Sequence, residues 1–151
     1  PPLNHRVCPT DFVTRGQRAA FLTRALNLPA GSGNPFIDDD GNVFEDNIES
    51  LAAADITQGC NPPANNLFCP GDFVTRGQMA AFLSRAFNLG AGSGNPFVDD
   101  DGNNFEWHIE AWANAGITQG CNPPLNDRFC PGSLVTRGQM AAFLHRAEPW
   151  L

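Results

Sequence analysis

Val13-Thr14-Arg15-Gly16-Gln17 is written again as Val74-Thr75-Arg76-Gly77-Gln78 and as Val135-Thr136-Arg137-Gly138-Gln139, at a constant step of 61 residues. Each copy carries the signature of a helix start. The Thr is an N-cap, and the Gln three residues on completes a capping box by reaching back to the Thr amide. Val74 before the cap and Met79 four residues after it form a hydrophobic staple. Ala81, Phe82, Arg85 and Ala86 continue at helical spacing, which predicts helices from Thr14, Thr75 and Thr136. Gly90 stops the second copy, and Pro29 stands in the equivalent stretch of the first.

The same period carries the rest of the chain. Phe36-Ile37-Asp38-Asp39-Asp40-Gly41-Asn42 returns as Phe97-Val98-Asp99-Asp100-Asp101-Gly102-Asn103. After each acidic loop an apolar stripe at helical spacing predicts a second helix. It comprises Phe44, Ile48, Leu51 and Ala52, then Phe105, Ile109, Trp112 and Ala113. Gly116 follows the later of these helices, and Asp55 takes the corresponding place in the earlier one, each as a left-handed cap. No strand pattern is present, so five helices and an all-α fold are expected. A chain repeating at this fidelity is an array whose units bury apolar faces against their neighbours. Ala30-Gly31-Ser32-Gly33-Asn34-Pro35 and its copy at 91–96 follow helices and lack a Lys, so they read as flexible connectors and not as phosphate loops.

Five cysteines occupy repeat-equivalent places. Cys60 and Cys69 bracket one proline-rich loop, and Cys121 and Cys130 bracket its copy. Local disulfides are the favoured reading, and each ten-residue loop closed this way contributes about 2.5–3 kcal/mol on the chain-entropy model. Pairing Cys8–Cys60 and Cys69–Cys121 stays open, because spacing does not fix connectivity. Either scheme requires an oxidising compartment, outside the cytoplasm. The partner expected for Cys8 would fall two residues before Pro1, which leaves Cys8 unpaired and suggests that the parent chain is longer or cleaved there. No signal-peptide pattern and no run of membrane-spanning length is read.

Net charge is −7, and all nine basic residues are Arg. Nucleic acid and anionic membranes, which need a basic face, are therefore poor partners. Catalysis is not expected: His5, His108 and His145 stand at non-equivalent positions, without a recurring nucleophile beside them.

The acidic loops admit two readings. Asp38, Asp40, Asn42, the Phe44 carbonyl and Glu49 fall at the relative oxygen positions of a calcium loop, as do Asp99, Asp101, Asn103, the Phe105 carbonyl and Glu110. The glycine sits at the fourth position instead of the sixth, which excludes a true EF-hand. The alternative is acidic capping of the following helix, with a turn at Asp-Gly. Arg15, Arg76 and Arg137 sit in a first helical turn, where positive charge is mildly unfavourable. That conflict recurs three times and so points to a specific role for the side chain. The guanidinium fork either recognises a sugar or carboxylate, or makes a salt bridge between repeats. Trp107, off the apolar stripe, reads either as packing on a neighbouring repeat or as a surface for stacking on sugar, and Trp150 as a docking residue of the same kind.

Taken in this order, the residues resemble the S-layer homology domain, a bacterial surface module. Phe97-Val98-Asp99, Phe105, Ile109 and Trp112 match its first part. Gly116-Ile117-Thr118-Gln119-Gly120 matches the middle, and Phe129-Cys130-Pro131 with Val135-Thr136-Arg137-Gly138-Gln139 matches the last. The likeness covers essentially the whole chain, in a variant with an added cystine loop and with Gln where the family has Glu. It implies a single array over 1–151: a half repeat at 1–29, then repeats at 36–90 and 97–151. These would pack as a pseudo-threefold helical bundle with long cystine-closed loops. It also implies non-catalytic attachment at the bacterial cell surface, outside the cell, by binding wall polysaccharide in grooves between repeats, with Arg15, Arg76 and Arg137 as contacts and no membrane insertion. A reading from another class stands beside it: a structural subunit of an extracellular self-assembling layer or filament, stabilised by calcium, in which copies of the chain are the partners.

Overall fold

The computed structural model describes residues 7–150. The expectations on His5 and on the Trp150 side chain lie outside what is described. Five α-helices follow in order: α1 Arg15–Ala25, α2 Glu45–Ala53, α3 Arg76–Ala86, α4 Glu106–Asn114 and α5 Arg137–Arg146. A short 3-10 turn, Glu148–Trp150, ends the described residues. Among the described residues there are no strands, and no helix is long and apolar enough to cross a membrane.

All three capping boxes form. Thr14, Thr75 and Thr136 accept from the amides of Gln17, Gln78 and Gln139, and each Gln side chain accepts the Thr amide in return. The staple partners Val74 and Met79 are fully buried. Helices α2 and α4 lack a side-chain cap; Phe44 and Phe105 hold the cap position, with Glu45 and Glu106 in the first turn favouring the positive helix end.

The helix ends differ from expectation. Helices α1 and α3 stop four residues before Pro29 and Gly90, because Asn27 and Asn88 turn left-handed with φ of 49°. Asn tolerates that region, and the turn lets the Leu28 and Leu89 amides reach back to the carbonyls of Thr23 and Ser84. Asp55 and Gly116 do adopt the left-handed conformation expected of them, at 56° and 72°.

The three equivalent valines close a ring. The Val13 amide donates to the Val135 carbonyl, Val74 to Val13 and Val135 to Val74, at 2.9–3.1 Å. One step outward the pattern repeats: Arg15 donates its amide to the Asp72 carbonyl, Arg76 to Ser133 and Arg137 to Asp11. A cyclic permutation of one bond over three repeats is a pseudo-threefold axis. All three valines are fully buried, so the axis is also the centre of the core.

Each capped helix packs on the one that follows it, α1 on α2 and α3 on α4. The 30–35 and 91–96 connectors are not loose. Gly31 and Gly92 lie so close to the backbone of α2 and α4 that a Cβ on either would overlap Glu49 and Ser50, or Glu110 and Ala111. The Gly31 amide donates to Ser50 Oγ, and that of Gly92 to the Trp107 carbonyl. Glycine serves close packing here, which composition alone presented as flexibility.

Candidate functional site

The disulfides are Cys60–Cys69 and Cys121–Cys130, and Cys8 is free and exposed. The long-range pairing through Cys8 is thereby excluded. Each cystine loop is the landing place for an Arg from the preceding capped helix. Arg15 Nε donates to the Phe68 carbonyl at 2.6 Å and its Nη2 to the Gly59 carbonyl at 3.1 Å. Arg76 repeats this on Phe129 and Gly120, at 2.8 and 3.3 Å. Arg137 donates to the Val7 carbonyl at 2.7 Å, which completes the cycle, since Val7 is the repeat-equivalent of Phe68 and Phe129.

Arg15 and Arg76 are only 4% and 3% exposed. Each guanidinium also lies over a ring, Arg15 over Phe68 at 4.8 Å and Arg76 over Phe129 at 4.6 Å. Burial lowers both from the usual guanidinium range, countered by Asp72 and Asp38 at Arg15 and by Asp99 at Arg76. The helix-start conflict is resolved by backbone carbonyls: these three Arg are struts between repeats. The first turn of helix needed a donor aimed backward, and Nε with Nη2 supplies it.

A groove of about 380 Å³ opens where the first capped helix meets the second repeat. Arg15, Gln58, Asn65, Asp72, Phe73, Gln78, Phe82 and Arg85 are among the residues that line it. Below it sits Arg18, fully buried, its guanidinium 3.2 Å from the centre of the Phe82 ring and without a hydrogen-bond acceptor. Burial and the neighbouring Arg15 and Arg85 charges hold Arg18 well below the usual guanidinium range. The equivalent residues are Met79 and Met140, so the buried charge is a break in the repeat. A wider groove, about 600 Å³, lies between Arg137, Thr10, Asp11, Phe12 and Phe73. Phe12 and Phe73 meet edge to face at 5.8 Å across it. Trp107 lines neither groove; it is 47% exposed and stacks on His108.

The acidic loops brace the cystine loops. Asp38 accepts the Phe68 and Cys69 amides at 2.6 and 2.7 Å, and Asp99 accepts those of Phe129 and Cys130. Asp40 and Asp101 take Asn34 and Asn95 side-chain amides. Asn42 and Asn103 accept from Phe44 and Phe105. The Phe44 carbonyl is used by Ile48 within α2, and Glu110 accepts the Asn95 amide. The calcium-loop spacing read from sequence is therefore not gathered about one point. The acidic side chains grouped most closely with others are Asp38 and Asp99, and they lie against the disulfides.

Sequence reasoning passed over Arg18, Arg85, Asp39 and Asp100. Arg18 had a readable signal, a charge where the other two repeats place Met at the staple. Asp39 and Asp100 had none, because in a triplet of acids nothing local says which one turns inward.

Fold and site together define an all-α repeat module built around a pseudo-threefold axis, with grooves between repeats. No family model matches the chain. It is 40% identical over 80 residues, 52% of its length, to an endoglucanase of Bacillus sp. (strain KSM-635). It is 28% identical over 148 residues, 91% of its length, to exoglucanase XynX of Acetivibrio thermocellus and, over a stretch of the same extent, to an amylopullulanase of Thermoanaerobacterium thermosulfurigenes. The matched stretches are 8% of the endoglucanase, 13% of the exoglucanase and 8% of the amylopullulanase, so the chain corresponds to a small part of each.

Proposed function

We propose that this chain is a non-catalytic module that binds a cell-wall polysaccharide at the bacterial surface, using the groove between the first and second repeats. The observation that carries this is a groove in which Arg15 and the exposed Arg85 stand beside Gln58, Gln78 and the Phe73 ring. Amide side chains suit sugar hydroxyls, an exposed ring suits a sugar face, and the Arg85 guanidinium favours a glycan with carboxylate or phosphate substituents. The similarity to small parts of three named polysaccharide-degrading enzymes fits an accessory role. The resemblance to the S-layer homology domain supports attachment as the kind of accessory role.

The struts bear on this function indirectly. Arg15 holds the cystine loop in place through Phe68 and Gly59, and that loop forms one wall of the groove. Arg85, exposed at the groove, is the residue free to meet a ligand directly. The proposal is tested by co-sedimentation of the purified chain with isolated wall sacculi, beside a tube without them. Pelleting only with sacculi is the expected result. Pelleting in both tubes would instead show self-assembly, and pelleting in neither would remove the wall as the partner.

A further inference from the structure

Helix α1 lies against α2 and α3 against α4, and the threefold relation set up by the valine ring gives α5 the same packing face. On α1 and α3 that face is sealed, with Ala19, Leu22, Ala80 and Leu83 all 0% exposed. On α5 the equivalent Ala141 is exposed and Leu144 half-buried. The hydroxyls of Thr23 and Ser84 donate across their interfaces to the Asn47 and His108 carbonyls. His145 stands in that place on α5 and pairs instead with Glu148, at 3.0 Å.

The α5 face has a defined shape. A cavity of about 140 Å³ lies among Val7, Phe21, Met140, Ala141 and Leu144, with Arg137 beside them. Val7 and Phe21 are the repeat-equivalents of Phe129 and Phe143, the rings against which Trp112 of α4 packs, at 6.2 and 4.9 Å. The cavity is therefore the seat for a side chain in the place of Leu51 or Trp112. Gly16 and Gly77 lie so close under Phe44 and Phe105, which precede α2 and α4, that a Cβ would overlap the ring. At Gly138 the nearest neighbour of such a Cβ is Pro9.

The chemistry of the rim points the same way. Arg15 and Arg76 give Nη2 to the carbonyl of a glycine that precedes a half-cystine, Gly59 before Cys60 and Gly120 before Cys121. Among the described residues Arg137 bonds to Val7, and Cys8, the equivalent of Cys69 and Cys130, keeps a free thiol. In the other repeats one continuous stretch meets all of these points: Phe44, Leu51, Gly59 and Cys60, or Phe105, Trp112, Gly120 and Cys121. Four of the chain's five cysteines are already paired, so a cysteine that meets Cys8 comes from another polypeptide.

We propose that this face of α5 is a docking site for an amphipathic helix of the α2 and α4 kind on another polypeptide, followed by a cysteine that comes to lie against Cys8. A large apolar residue nine positions before that cysteine fills the cavity, as Trp112 stands nine before Cys121. The mode is a helix laid in an apolar groove, continuing around the axis the packing that α1 with α2 and α3 with α4 already show. It holds whatever the groove between the first and second repeats binds.

The probe is a synthetic peptide with the sequence of residues 103–121, its cysteine carried as a mixed disulfide with glutathione. The Cys8 thiolate attacks the peptide sulfur, the new S–S bond forms, and glutathione leaves as a thiolate that takes up the proton Cys8 gave up, with no net oxidation. In glutathione buffer near neutral pH, the full chain should capture this peptide at least about tenfold more than one with residues 103–119 scrambled. Mass spectrometry reads the adduct and maps its bond to Cys8. Trp112→Ala in the peptide, or Ala141→Arg in the chain, should bring capture down to the scrambled level. Ala141 is exposed, so that variant keeps the fold. Equal capture of the two peptides, or undiminished capture by the Ala141→Arg chain, would overturn the proposal. Disulfide-linked dimers of the chain outcompeting the peptide would also overturn it, by making a second copy the occupant.

Discussion

Arg15 Nε and the carbonyl of Phe68, 53 residues apart in the chain, meet at 2.6 Å, and the same bond is made by Arg76 to Phe129 and by Arg137 to Val7. Three copies of one bond tie each repeat to the next and the last to the first. Truncating a strut leaves buried carbonyls unpaired as well as losing charged hydrogen bonds. Arg15→Ala and Arg76→Ala are therefore expected to lower unfolding free energy by about 3 kcal/mol. Arg137, less buried and with one such bond, should cost about 1 kcal/mol. Urea denaturation of the three variants checks the order. Arg→Lys should rescue little, since an ammonium cannot reproduce the two-donor fork.

Arg18 presents the opposite case. Its guanidinium is buried over Phe82 without an acceptor, where the other repeats place Met. Arg18→Met should stabilise the chain by about 1–2 kcal/mol, because relief of the desolvation outweighs the attraction between guanidinium and ring. Arg18 does not line the groove, so on the polysaccharide reading wall binding by this variant should be unchanged. Loss of stability in thermal melts would show that the charge has a partner.

The glycines separate packing from flexibility. A Cβ at Gly92 overlaps the backbone of α4, whereas one at Gly90 meets nothing. Gly92→Ala should cost at least about 2 kcal/mol. Gly90→Ala should be neutral or stabilise by up to about 1 kcal/mol, through the unfolded chain. Denaturant midpoints of the pair provide the comparison.

Two buried groups give opposite pH responses. Burial, reinforced by the charge of Arg85, lowers His108 from 6.5 to about 4. The unfolded chain then binds the proton more readily, and stability falls as pH drops from about 6.5 towards 4. Burial raises Asp100 from 3.8 to about 6, with the acids around it adding to the shift. There the folded chain holds the proton more tightly, so stability falls as pH rises from about 4 to 6. His108→Gln should remove the first slope and Asp100→Asn the second, as followed by melting temperature against pH.

Much of this architecture is legible in the chain itself, for a physical reason. Capping boxes, staples, apolar stripes and cystine loops are local, settled within about ten residues, and all of them stand where Thr75, Gln78, Met79 and Cys60 indicate. The repeat then extends local order to the whole. What could not be read is what depends on distance in sequence. The acceptors of Arg15 lie 44 and 53 residues away, and the amides held by Asp38 lie 30 and 31 away. The connectors mislead because Gly31-Ser32-Gly33 has the same composition whether it swings free or lies against a helix.

The most direct test of the groove is the affinity of polysaccharide released from wall sacculi for the chain and for its Arg85→Ala variant, measured by calorimetry. Arg85 is exposed, so its removal should leave the fold intact. At least a tenfold loss of affinity, about 1.4 kcal/mol, is expected with the melting temperature unchanged. Equal affinity of the two proteins, or no binding by either, would contradict the assignment of this groove.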